Sequence, residues 1–139
     1  RSFVFVLGFC YRTNVILYSN YSTMDVNDKY LYEAELIRVV DGDTIDAWID
    51  LGFNITVRRR IRLWGINAPE TRTLDLEEKR EGKLAKARLE DILSINRGSF
   101  SVKSIGVDKY GRCLGEIYLQ DVNINKQLLA EGLVEVYKK

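Results

Sequence analysis

The sequence predicts a mainly β domain with helices (α+β), in which five strands close into an OB-type barrel that carries two helices. Three observations lead there. Apolar and polar residues alternate in a series of short runs, turn residues such as Asp-Gly separate those runs, and one long amphipathic stretch interrupts the series after its third member. A chain of 139 residues with 46% hydrophobic content has the size and composition of one globular domain with its own core.

The N-terminal segment stands apart. Residues 1–24 hold two arginines and no Lys, Asp or Glu, so a total charge of +1 leaves −1 for the rest. Its apolar runs, Phe3 to Tyr11 and Val15 to Tyr18, are split by Arg12, Thr13 and Asn14, and neither can span a bilayer, so no transmembrane helix is expected. Residues 1–32 are read as an N-terminal extension and 33–139 as the domain. If Met24, the only methionine, is the start, residues 1–23 are upstream extension and the protein is cytoplasmic, in a bacterial or phage-infected cell. If Arg1 and the apolar run after it form a secretory signal, the protein is secreted, although no small-x-small cleavage pattern follows closely. An extra structured element is the third reading of this segment.

From Glu33 the pattern is regular. Ala34 to Val40 reads as a first strand, and Thr44 to Asp50 as a second that alternates Ile45, Ala47 and Ile49 against Asp46, Trp48 and Asp50. Asp41-Gly42-Asp43 supplies the hairpin turn between them. Leu51-Gly52-Phe53-Asn54 turns the chain into a third strand, Ile55 to Trp64, where Ile55, Val57, Ile61 and Leu63 share one face with Arg59, and Arg58, Arg60 and Arg62 share the other. Arg58, Arg59 and Arg60 are read as a solvated edge that discourages aggregation. Leu76 to Ile95 is rich in helix formers, and Ala85, Leu89, Ile92 and Leu93 make an i, i+4, i+7, i+8 stripe that Gly98 closes. Ser99 to Ile105 and Arg112 to Leu119 read as the fourth and fifth strands. Ile124 to Glu131 reads as a short helix, with Asn123 as N-cap and Gly132 as its end.

Composition narrows the chemistry. Histidine is absent, which removes imidazole as base, nucleophile activator and zinc ligand, so base chemistry falls to carboxylates. Cys10 and Cys113 lack Cys-x-x-Cys spacing and suggest neither a disulfide framework nor a metal knuckle; Cys113 is read as a small buried apolar residue. With 21 basic residues against 20 acidic there is no general cationic coat, and any nucleic-acid binding must come from local clustering.

Three short segments concentrate functional groups. Val40-Asp41-Gly42-Asp43-Thr44 is a tight turn that presents carboxylate and backbone oxygens, the ligands hard cations take, although Asp-Gly is also an ordinary hairpin turn. Arg62-Leu63-Trp64-Gly65-Ile66-Asn67-Ala68-Pro69-Glu70 brings a guanidinium, an amide oxygen and a carboxylate together around the only proline. Asp108-Lys109-Tyr110-Gly111-Arg112 is a turn that delivers Arg112 at the mouth of the fifth strand.

In this order and spacing, Asp-Gly-Asp-Thr, Arg-x-x-x-x-Asn-Ala-Pro-Glu and Asp-Lys-Tyr-Gly-Arg resemble the staphylococcal nuclease or thermonuclease family, bacterial or phage type, from about Glu33 to Tyr137. The resemblance implies a Ca²⁺-dependent endonuclease that hydrolyses DNA and RNA with little sequence specificity and acts as a monomer. It implies Asp43, Asn67 and the backbone carbonyl of Ala68 as metal ligands, with Asp41 as a further candidate. Glu70 takes the place of the residue that activates or orients water, Arg62 and Arg112 those of the phosphate-binding arginines, and Lys109, Tyr110 and Tyr137 those of nucleotide contacts. Asn67 departs from the family's aspartate, removing one negative charge, so Mg²⁺ or Mn²⁺ is expected to be accepted besides Ca²⁺.

The chemistry of the residues agrees. Attack on a phosphodiester builds negative charge that a dication and two guanidinium forks can stabilise, and without histidine a carboxylate is the natural base. The alternative is a nuclease-like OB domain that binds nucleic acid or a protein partner without cutting; such domains typically lack the arginines or the glutamate, which are present here. Nothing in the sequence argues for a structural or inhibitory phage protein.

Overall fold

The computed structural model describes residues 29–137, so the expected extension or signal at residues 1–23 lies outside them. Alternation puts Ile45, Ala47 and Ile49 on the inner face of one strand, and the barrel closes around that face. The elements are β1 (Leu31–Asp41), β2 (Thr44–Asp50), β3 (Thr56–Leu63), β4 (Ile66–Asn67), α1 (Leu76–Ser94), β5 (Ser99–Val107), β6 (Cys113–Leu119), β7 (Val122–Asn123), α2 (Ile124–Ala130) and β8 (Glu135–Val136). The main sheet runs β3-β2-β1-β5-β6-β7. Parallel pairing of β3 with β6, from Ile61↔Cys113 to Leu63↔Gly115, closes its first five strands into a mixed barrel, the architecture expected from the sequence.

Two details differ from the sequence reading. β1 starts at Leu31 because residues 31–35 pair with β5, while β2 pairs along most of its length. Register shifts at Leu36/Arg38 and Val39/Asp41 bend it between the two partners, as bulges do in small barrels. The short β4, β7 and β8 were not foreseen; β4 and β8 pair with each other and bring Tyr137 back beside Gly65, whose carbonyl accepts the Tyr137 N–H at 2.9 Å.

Helix α1 forms where expected and buries the predicted stripe of Ala85, Leu89, Ile92 and Leu93. Asp75 caps it by accepting the N–H groups of Glu77 and Glu78, whose own carboxylates suit the positive end of the helix dipole. Gly98, at a φ of 82°, lets the chain leave the helix with its N–H on the Leu93 carbonyl. In α2, Asn123 caps as predicted by accepting the Lys126 N–H. Its neighbour Asn125, almost wholly buried, accepts the Ile117 N–H and donates to the carbonyls of Trp64 and Gly115, pinning the seam where β3 meets β6. Cys113 is half-buried and packs against the core. Among the described residues no helix is long and apolar enough to cross a membrane.

Two glycines decide how near α1 lies to the loops that carry the predicted site. A Cβ on Gly42 would meet the Ala85 and Ala68 side chains at 2.7 and 3.0 Å, and one on Gly82 would meet the backbone carbonyls of Pro69 and Glu70 at 2.7 and 2.8 Å. Gly in a helix interior ordinarily weakens it by about 1 kcal/mol relative to Ala. Here the sign reverses, because backbone oxygens cannot rotate away. Gly82→Ala is expected to lower the denaturant midpoint, at a cost of about 1–3 kcal/mol from overpacking; a higher midpoint would show that α1 is free to shift.

Candidate active site

Asp43 leaves the β1–β2 turn pointing inward and is 7% exposed. A carboxylate out of water is costly unless it is paired and hydrogen-bonded, and here it is. Oδ1 accepts the Thr44 hydroxyl at 2.8 Å, Oδ2 accepts the Ala68 N–H at 2.7 Å, and the Arg62 guanidinium lies 3.3 Å from Oδ2. The turn is thereby tied to the loop after β4 and to the end of β3.

Arg62 is held from several sides. Its Nη1 donates to the carbonyls of Leu63 (3.1 Å) and Ile66 (2.7 Å), its Nη2 donates to Asn67 Oδ1 (3.1 Å), and the Tyr137 ring lies 5.8 Å away as a cation–π partner. Asn67 thus lines the cleft with its amide oxygen engaged by Arg62. Asp41 accepts the Thr71 hydroxyl at 2.6 Å, with Arg72 3.9 Å from its other oxygen. Glu70 is exposed; its N–H donates to Glu78 of α1, and its carboxylate has no hydrogen-bond partner among the described residues.

The Asp108 turn builds the opposite wall. Asp108 Oδ1 accepts the N–H groups of Tyr110 and Arg112, and Oδ2 accepts Arg112 Nε at 2.7 Å. Burial pushes the Asp108 pKa up, but those N–H groups and the Arg112 guanidinium outweigh it and hold the carboxyl below its usual range. Tyr110 stands 72% exposed, with Lys109 and Arg112 at 5.2 and 5.5 Å from its ring.

One cleft of about 1170 Å³ gathers all ten residues named from the sequence, Asp41, Asp43, Arg62, Asn67, Ala68, Glu70, Lys109, Tyr110, Arg112 and Tyr137. Sequence reasoning missed the acidic wall from α1, formed by Asp75, Glu77, Glu78 and Glu81, which lines the same cleft. Four carboxylates within seven residues just after Pro69-Glu70 were the available signal. The expected metal-holding residues Asp41, Asp43, Asn67 and Ala68 all line the cleft, with Asp43 and the Asn67 oxygen already beside Arg62, and among the described residues no three Asp, Glu, His or Cys gather into a metal cluster. An all-oxygen set with two carboxylates fits a hard dication and not a thiophilic one.

The profile of the staphylococcal nuclease homologue family matches residues 60–139, more than half of the chain. The chain belongs to the staphylococcal nuclease homologue family. It is 33% identical over 116 residues to a micrococcal nuclease of Shigella flexneri, covering 77% of this chain and 59% of that protein. It is 34% identical over 96 residues to the thermonuclease of Staphylococcus intermedius, covering 69% of this chain and 54% of that protein. With endonuclease YncB of Bacillus subtilis it shares 33% over 113 residues, covering 79% of this chain and 50% of that protein. The chain therefore spans about half to three fifths of the length of these relatives.

Within this nuclease-family barrel the β3 arginines do more than guard an edge. Asp46, buried on β2, accepts Arg60 through both oxygens (2.7 and 3.0 Å) and Arg38 at 2.9 Å, with Arg58 at 4.0 Å. The Arg60 hydrogen bond, against the opposing effect of burial and with help from Arg38, lowers the Asp46 pKa from 3.8 to about 2. A depressed carboxyl pKa gives stability that is complete above the unfolded value and is lost as pH falls through the folded one. Acid unfolding is expected to show a loss between pH 3.8 and about 2 that Asp46→Asn removes, leaving a flatter profile from a lower starting stability. Equal slopes for the two proteins over that window would refute the assignment.

The two site arginines differ in the same way. Arg62 is 13% exposed and Arg112 37%. Arg62→Ala strands the Asp43 carboxylate and two carbonyls, and is expected to cost about 3 kcal/mol of folding stability. Arg112→Ala, which breaks only a half-exposed pair, is expected to cost under about 1 kcal/mol. Urea midpoints of both variants test this, and similar losses would mean that Arg62 is not the structural tie it is drawn as here.

Proposed function

We propose that this chain is a metal-dependent endonuclease that hydrolyses phosphodiester bonds of DNA and RNA with little sequence preference, with Ca²⁺ as its cofactor and Mg²⁺ or Mn²⁺ accepted. The observation that carries the reading is the convergence of Glu70, Arg62, Arg112 and the Asp41–Asp43 oxygens, from three distant segments, on one open cleft. Asp41, Asp43, Asn67 and the Ala68 carbonyl would hold the cation, which when bound supplies positive charge where the transition state gathers negative charge.

Arg112 sits on a turn fixed by Asp108, so its unused N–H groups are aimed before substrate arrives and bind phosphate oxygens as a fork. Arg62, locked by carbonyls, adds fixed positive potential beside Asp43 and presents its remaining donor to the phosphate. Glu70 takes the proton of an attacking water: its carboxylate is exposed, unengaged among the described residues, and in a chain without histidine. Backbone and phosphate groups are the features gripped, which favours low sequence preference.

Purified chain is expected to degrade single-stranded DNA with added Ca²⁺ and to stop with chelator. Arg112→Ala is expected to lose 10²–10³-fold in rate, on the order of 2.7–4 kcal/mol, and Glu70→Gln to lose rate with little change in binding. Tight binding with no cleavage under Ca²⁺, Mg²⁺ or Mn²⁺ would favour the binding-module alternative instead.

A further inference from the structure

Beside the catalytic cleft, a second depression of about 640 Å³ is lined by Asp46, Arg58, Arg59, Arg60, Tyr110 and Arg112. Tyr110 and Arg112 belong to both, so the two are continuous. Along β3, Arg58, Arg60 and Arg62 fall on one face at steps of about 6.6 Å, close to the reach between phosphates in an extended strand. Opposite them on β2 stand Trp48, Asp46 and Thr44 in register. Trp48 is 46% exposed beside Arg58, and Tyr110 is exposed at the other end, where the two depressions meet.

A row of charge is therefore flanked by an aromatic ring at each end of one face. Of three arginines gathered around Asp46 there, Arg38, Arg58 and Arg60, the carboxylate cancels one charge and two remain, in a chain whose total is only +1. Edge protection accounts for the charge. It does not account for the flanking aromatics or for continuity with the cleft. A basic groove with exposed rings is the arrangement that holds a single strand, phosphates on the guanidinium groups and unpaired bases on the rings.

We propose that the β2–β3 face, with Trp48 and Arg58 at its far end, is a binding track for single-stranded nucleic acid that continues the polynucleotide beyond the catalytic cleft. The track rests on the nuclease reading for its direction, since the cleft is where the strand would be cut. Its binding role does not need cleavage.

The test is fluorescence anisotropy in chelator, with a labelled oligothymidylate of about 12 nucleotides and a labelled dinucleotide, at salt from about 50 to 200 mM. Arg60 is left alone because it serves Asp46. For Arg58→Gln the salt slope for the long strand is expected to fall by about 0.7, the loss of one phosphate contact. For Trp48→Ala the long strand is expected to bind about fivefold more weakly, the low end of a base–aromatic stack. Circular dichroism should be unchanged, and so should dinucleotide affinity. An unaltered long-strand affinity and slope would overturn the track, as would an equal loss for a duplex of the same length. An equal loss for a poly-glutamate peptide would assign the face to an acidic protein and also overturn it. Binding is read without catalysis. A chain that never cuts but shows these losses would therefore sink the enzymatic reading alone, and one that cuts with unaltered slopes would sink the track alone.

Discussion

The buried carboxylate of Asp43 is the constraint on which the cleft depends. Desolvating it costs several kcal/mol unless it is paired and hydrogen-bonded, and its donors come from three places: Thr44 on β2, Ala68 after β4, and Arg62 on β3. The Asp43 carbonyl adds a further tie by accepting the Leu63 N–H at 2.8 Å. Folding the barrel correctly and assembling the acidic end of the site are thus the same event. The helix cannot stand off from this knot, because Gly42 and Gly82 let α1 pack directly on the two loops. The carboxylates Glu77, Glu78 and Glu81 are carried to the cleft by that close approach.

Stability and chemistry are divided differently between the two arginines. Arg62 donates to two carbonyls and an amide oxygen and neighbours Asp43, so it is placed with little freedom and its charge acts as a fixed potential. Arg112 is anchored by one nitrogen to Asp108 and keeps its remaining donors on the cleft side. A site with one immobile cation and one held at its base needs little reorganisation when charge develops on a ligand, which is the condition under which electrostatic stabilisation is most effective.

Much of this was legible because it is local. The α1 stripe of Ala85, Leu89, Ile92 and Leu93 and the alternation of β2 are set by period alone, and both are buried as read. Of the segments that meet at the cleft, two were legible as turns from their own composition, Asp41-Gly42-Asp43 and Asp108 to Arg112, whereas the roles of single residues, and Tyr137 altogether, rest on the family resemblance. What escaped depends on distant partners. Closure of β3 on β6 joins Ile61 to Cys113, and Asn125, which pins that seam, looks from sequence like any polar residue in a first helical turn. Arg60 could not be told from Arg58 as the partner of Asp46, because that depends on register and on which guanidinium closes a two-pronged bond. Gly82 reads as a weak point of a helix until the carbonyls of Pro69 and Glu70 are found beneath it.

Net charge was the least informative number, for a physical reason. A sum near zero is compatible with a large separation of charge, and here the separation has a direction. Asp75, Glu77, Glu78 and Glu81 line the cleft from the α1 side, whereas Lys109, Arg112 and the β3 arginines stand on the barrel side. A polyanion approaching this surface meets repulsion along one wall and attraction along the other, within a distance over which salt screens only partly. Such a field would favour the barrel face over the acidic wall as the path of approach. Arg62 is the exception to this division, since it lies 3.3 Å from Asp43 and sets a fixed positive charge directly beside the carboxylates of the β1–β2 turn.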